Sequence, residues 1–71
     1  MSALTRDIIR MGNQIVDQFP HLSEEEQVAA VATHIGKFWE RRMLSALYEH
    51  IDAGAEDLDP VVVAAARRLS P

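Results

Sequence analysis

The chain has no cysteine, which removes disulfides, thiolate zinc sites, iron–sulfur ligation and a thiol nucleophile from consideration. Glycine is scarce: its three residues stand at 12, 36 and 54, far from any G-x-G or G-K-[ST] pattern, so no phosphate-cradling loop is encoded. Uninterrupted apolar runs are missing as well, with nothing near the length of about 18 residues that a membrane span requires. Met1 to Thr5 carries no basic segment leading into an apolar one, so no secretory leader is expected. The chain reads as soluble and cytoplasmic. Positive charge is the last shortage. Seven Lys and Arg stand against eleven Asp and Glu, a formal charge of −4, and a field of that sign repels phosphate backbones and anionic lipid. Neither nucleic acid nor a membrane is an expected partner. Lys37, Arg41 and Arg42 form the one basic cluster, diluted by Glu40.

What is present is helical patterning within one short domain spanning residues 1–71. At that length the ordering cost, about 1.5 kcal/mol per residue, nearly cancels the gain from apolar burial, so a partner that binds the folded state contributes much of the stability. Leu4, Ile8, Met11 and Ile15 recur at steps of four, three and four and predict a first helix over about Ala3 to Gln18. Phe19-Pro20 stops it, because the residue before proline avoids the helical region. Ser23 followed by Glu26 is a capping-box signature. The stripe Val28, Val31, Ala32 and Ile35 continues it as a second helix. Gly36 is the natural place for a bend, and a third helix is expected from Lys37 to Asp52, built on Phe38, Met43, Leu44, Leu47 and Ile51. Asp59-Pro60 reads as an N-cap and first helical residue of a short fourth helix, with Leu58 and Val63 placed for a hydrophobic staple. The expected fold is all-α: a small bundle of three main helices plus a short C-terminal helix, without a deep pocket.

Chemistry is hard to find in this pattern. His21, His34 and His50 have no second ligand at the three- or four-residue spacing that a metal site on one helix needs, so capping, packing and surface roles are preferred. Ser23 is explained as a cap, and Ser2, Ser45 and Ser70 stand at chain ends or mid-helix without a base and an oxyanion donor at hand. A helix-turn-helix DNA reader is a weak alternative, since Arg41-Arg42 opens the third helix but Glu49 and Asp52 decorate its later turns. The informative residues are those suited to protein contact. Phe38-Trp39 places two large aromatics on neighbouring directions of one helical turn, and both cannot easily face one small core. Either one packs inside while the other lies under a long side chain such as Arg42, or Trp39 anchors the chain in a partner's pocket. Asn13-Gln14 offers paired donors and acceptors that suit recognition of backbone groups. Asn13, Gln14, Phe38, Trp39 and Arg42 are accordingly the candidate interface, with no catalytic, cofactor-binding or metal-binding residues assigned.

Taken together, Met11-Gly12-Asn13-Gln14-Ile15, His34-Ile35, Phe38-Trp39, Arg42-Met43, Leu47, His50 and Leu58-Asp59-Pro60-Val61-Val62 resemble the delta subunit of NAD-dependent formate dehydrogenase, the soluble multi-subunit molybdenum or tungsten type. The resemblance runs from about residue 8 to residue 66. It implies an accessory subunit without cofactor or active site of its own, bound to a large catalytic subunit. That subunit would carry molybdenum or tungsten on bis-molybdopterin guanine dinucleotide, and companion subunits FMN and iron–sulfur clusters. The implied complex oxidises formate to carbon dioxide and passes electrons to NAD. The small chain would stabilise the complex or, alternatively, act as a maturation factor assisting cofactor insertion. A free-standing DNA-binding regulator is the more distant alternative, and a homodimer is an option for the isolated chain. In one place the sequence departs from the family's pattern: Asp-Pro commonly follows the tryptophan there, whereas Glu40-Arg41 stands here, which puts the start of the third helix in doubt.

Overall fold

The computed structural model describes residues 2–70, and within them four α-helices follow one another with no strand. They are α1 (Ala3–Val16), α2 (Glu24–Phe38), α3 (Arg41–Asp52) and α4 (Pro60–Leu69). The last is the shortest, at 10 residues against 12 to 15 for the others.

Each helix end has a local cause. Ser2, expected only as part of a loose terminus, caps α1: its Oγ accepts from the Thr5 amide at 3.1 Å. α1 ends two residues before the expected Gln18, where the Gln18 and Phe19 amides bond back to Ile15 and Val16 and the chain turns into Phe19-Pro20. At α2 both halves of the capping box form, with Ser23 Oγ accepting from the Glu26 amide at 3.2 Å and Glu26 Oε1 from the Ser23 amide at 3.1 Å. The Ser23 amide donating to the charged form, with the Ser23 hydroxyl adding to it, holds the Glu26 carboxyl below its ordinary value. One turn on, Gln27 donates from Nε2 to the Phe19 carbonyl at 2.8 Å, fastening the α1–α2 turn. Asp59 caps α4 through the Val61 amide at 2.9 Å, with Pro60 just inside and the buried Leu58 just outside.

The expected break at Gly36 is not where the chain turns. α2 runs through Gly36 to Phe38, and the interruption falls at Trp39 and Glu40, both extended (φ −90°, ψ 134° and φ −72°, ψ 160°). An isolated glycine weakens a helix by only about 1 kcal/mol when the hydrogen bonds on both sides continue. Here α4 packs over it, with Leu69 Cδ2 3.4 Å from where a Cβ would be, an ordinary contact distance. The third helix therefore starts at Arg41, not Lys37. Glu40 serves as its N-cap residue without a side-chain bond, so the helix begins there with neither a capping side chain nor a proline at its first position. Gly54 is the one position among the described residues in a left-handed backbone, φ 91°, where it ends α3 with its amide on the Ile51 carbonyl.

Packing does not follow chain order. α2 lies chiefly on α4 and α1 on α3, with α4 also touching α1, while α2 and α3, two residues apart in sequence, do not pack on each other. One apolar cluster fills the space between the pairs, with Ile8, Val31, Ile35, Leu47 and Val62 at its fully buried centre.

Candidate functional site

The five residues singled out from sequence divide into two sets. Trp39 leaves α2 in extended backbone and turns its indole inward, retaining 9% exposure. Its Cη2 lies 3.8 Å from the Cβ position of Gly12, and Val62 Cγ1 lies 3.2 Å from the same point. Gly12 thus lets α1 approach α4 and the indole at a spot where any side chain would intrude. Gly12 costs α1 some helix propensity but supplies a packing surface.

Asn13 turns inward next to it. Its Nδ2 donates to the Asp57 carbonyl at 3.0 Å, and its Oδ1 accepts from the Asp59 amide at 2.9 Å. The paired recognition of backbone groups expected of this amide is realised within the chain, between α1 and the loop from α3 to α4. The same loop is held from a second side by His50, whose Nε2 donates to Asp57 Oδ1 at 2.7 Å. The histidine side chain is 14% exposed and the aspartate 48%. That bond, to the charged form, keeps the Asp57 carboxyl below its ordinary value. Asn13, His50, Asp57 and Asp59 form a polar latch that fixes where α4 begins. Sequence reading missed it: seven residues separate His50 from Asp57 and 44 separate Asn13 from Asp57, spacings that no single-helix rule examines. The one available signal was that Asn13, His50 and the Asp59 cap all stand in the segments that carry the resemblance.

The second set faces outward. Phe38 is 69% exposed, the one exposed large hydrophobic among the described residues. Its only aromatic neighbour there is His34, one turn back, with ring centroids 4.9 Å apart at 48°. Arg42 is exposed and forms no ion pair among the described residues, and the same holds for Lys37 and Arg41. Gln14 is exposed on α1. The sequence alternatives for Phe38-Trp39 thus resolve with Trp39 inside and Phe38 out.

No group of three or more His, Asp or Glu among the described residues is placed to hold a metal ion. Two open grooves lie on the surface, one between α3 and α4 lined by Tyr48, Ile51, Asp52, Ala66, Arg67 and Ser70, another beside Thr5, Ala46, Glu49 and His50. Among the described residues no helix is long and apolar enough to cross a membrane.

No curated protein and no solved structure matches the chain with significance. A family model does, that of the NADH-dependant formate dehydrogenase delta subunit FdsD, over residues 7–66. The match begins in the first turns of α1 and ends in α4, so it takes in Gly12, the whole latch, Trp39 and the outward corner where α2 meets α3. A chain matched over that extent belongs to the family of formate dehydrogenase delta subunits.

Proposed function

We propose that the chain is a non-catalytic subunit that binds the large molybdenum- or tungsten-containing subunit of an NAD-dependent formate dehydrogenase and stabilises the complex. In this reading it has no active site of its own. The bis-molybdopterin guanine dinucleotide, iron–sulfur clusters, FMN and NAD belong to the other subunits, and the assembly works in the cytoplasm. Family membership supports the setting. The observation that carries the binding role is the exposure of Phe38, a large aromatic left in water at 69% by a fold that had a core available for Trp39. A small domain gains by covering such a residue, and aromatic and arginine side chains are those on which protein interfaces most depend. Phe38 and Arg42 are the primary contacts and Gln14 a further one. Asn13 and Trp39 act indirectly, by holding the fold that presents them. A helix-turn-helix role is disfavoured, because α2 and α3 lack the mutual packing of that motif.

The test is co-purification of the tagged chain, wild type and Phe38→Ala, from cells making formate dehydrogenase, with protein and molybdenum or tungsten quantified. Stoichiometric metal-loaded enzyme with wild type, and sharply less with the variant at unchanged helicity, supports the reading. Recovery of metal-free enzyme alone would reassign the chain as a maturation factor. No recovery with wild type would contradict the binding role altogether.

A further inference from the structure

Lys37, Phe38, Glu40, Arg41 and Arg42 are exposed together at the corner where α2 ends and α3 begins. Three of the chain's seven cations stand within these six positions of sequence, and none forms an ion pair among the described residues. Counting Glu40, the corner carries +2; set against −4 for the whole chain, the remainder carries −6. The molecule is thus electrically polarised, and its positive spot coincides with the one exposed large hydrophobic among the described residues.

From this we infer that the corner seats Phe38 in an apolar pocket of the large subunit whose rim is lined by Asp and Glu carboxylates. The inference rests on the subunit reading above and adds the chemistry of the partner surface. Charge supports it in two ways. An acidic rim attracts the corner and repels the rest of the chain, so one orientation of approach is favoured over all others. A second copy of the same chain fits worse: a two-fold contact through this corner sets +2 against +2. An extended polyanion is disfavoured for a related reason, because it meets the −6 remainder as well as the corner.

Lys37 is the sole lysine, so apart from the N-terminal amine every amine reaction of the chain reports on this corner. In the complex isolated through a tagged large subunit, Lys37 is expected to react with an amine-directed reagent at least about tenfold more slowly than in the free chain, as for a site buried in an interface. Carbodiimide coupling is expected to join its Nζ to an Asp or Glu of the large subunit. Replacing Lys37, Arg41 and Arg42 together by Glu should lower retention on the complex by about tenfold or more, whereas Arg67→Glu with Arg68→Glu on α4 should leave retention unchanged. Circular dichroism of each free variant verifies that the helices persist, and Phe38→Ala tests the apolar part without altering charge. If wild type is retained while Lys37 stays fully reactive, couples to a second copy of the chain, or can be reversed in charge with its neighbours at no loss, the corner is not the epitope and only the subunit reading survives. If wild type is not retained at all, that reading fails and this inference with it.

Discussion

Where α1 meets the loop from α3 to α4, both polar ends of Asn13 are engaged with backbone, and His50 holds Asp57 from the other side. At the α2–α3 corner the opposite holds: three cations and a phenylalanine stand in solvent, and Glu40 leaves α3 without a side-chain cap. The first region determines one arrangement of helices, and the second is left over after that arrangement is made. Two neighbouring pairs straddle the difference. Trp39 and Phe38, like Asn13 and Gln14, are residues of similar chemistry one position apart, of which the first-named turns inward and the other outward. Similar chemistry therefore serves stability in one member and remains available for binding in the other.

The aromatic pair gives the largest contrast. Trp39→Ala should remove about 3–5 kcal/mol, much of the roughly 4–10 kcal/mol that a chain of this size has. Phe38→Ala should stay within about 0.5 kcal/mol of wild type. Urea unfolding of the isolated chain measures both, and equal losses would erase the distinction between the regions. This is also why Phe38 is the residue to mutate when binding is the question, since a Trp39 variant would lose its partner by unfolding.

The amide pair should differ less. Asn13→Ala forfeits two hydrogen bonds and leaves the part-buried Asp59 amide without its acceptor, a loss of about 1–3 kcal/mol. Gln14→Ala should change stability by less than about 0.5 kcal/mol. Thermal unfolding followed at the helix signal compares the two.

Two glycines sharpen the comparison within α1 and α2. Gly36→Ala should stabilise by up to about 1 kcal/mol through helix propensity, because the added methyl meets only the flexible end of Leu69 at 3.4 Å. Gly12→Ala has the same propensity gain but drives a methyl to 3.2 Å from the fully buried Val62, so a net loss of about 1 kcal/mol is expected. Opposite signs in denaturant titrations would establish that one glycine is tolerated and the other required.

The smallest effect is acid dependence of the latch. Its bond to His50 holds the folded Asp57 pKa below the ordinary 3.8, so the folded state binds that proton less readily than the unfolded chain. The contribution is complete above the unfolded value and is lost as pH falls through the folded one. The stability advantage of wild type over Asp57→Asn should accordingly shrink as pH is lowered from about 5 to about 2. An advantage that grew on acidification would mean the carboxylate is not held by the histidine.

Much of this fold was legible before the coordinates, because its signals are local. Ser23 with Glu26, and Asp59 before Pro60, announce helix starts through groups three residues apart or fewer, and four-three stepping of apolar residues locates the buried faces. The α2–α3 boundary falls at Trp39 and Glu40, away from the glycine, for a related reason. Glycine is a local signal too, but the helix at Gly36 is sustained by continuing hydrogen bonds and by α4 packing over it, and the real break follows from the inward turn of Trp39. Which member of each pair faces inward depends on helix pairing that skips chain neighbours, α2 with α4 and α1 with α3. No periodicity encodes that pairing. The outward set at the corner was recognisable as residue types suited to binding, but only the fold separates Phe38 and Arg42 from Trp39 and Asn13.

The division of labour between the two regions is tested most directly by amide hydrogen exchange of the chain, free and within the formate dehydrogenase complex. New protection should appear across residues 37–43 on assembly, while the amides around Asp59 and the start of α4 should change little. Protection gained at the latch, with the corner exchanging as freely as before, would contradict the account.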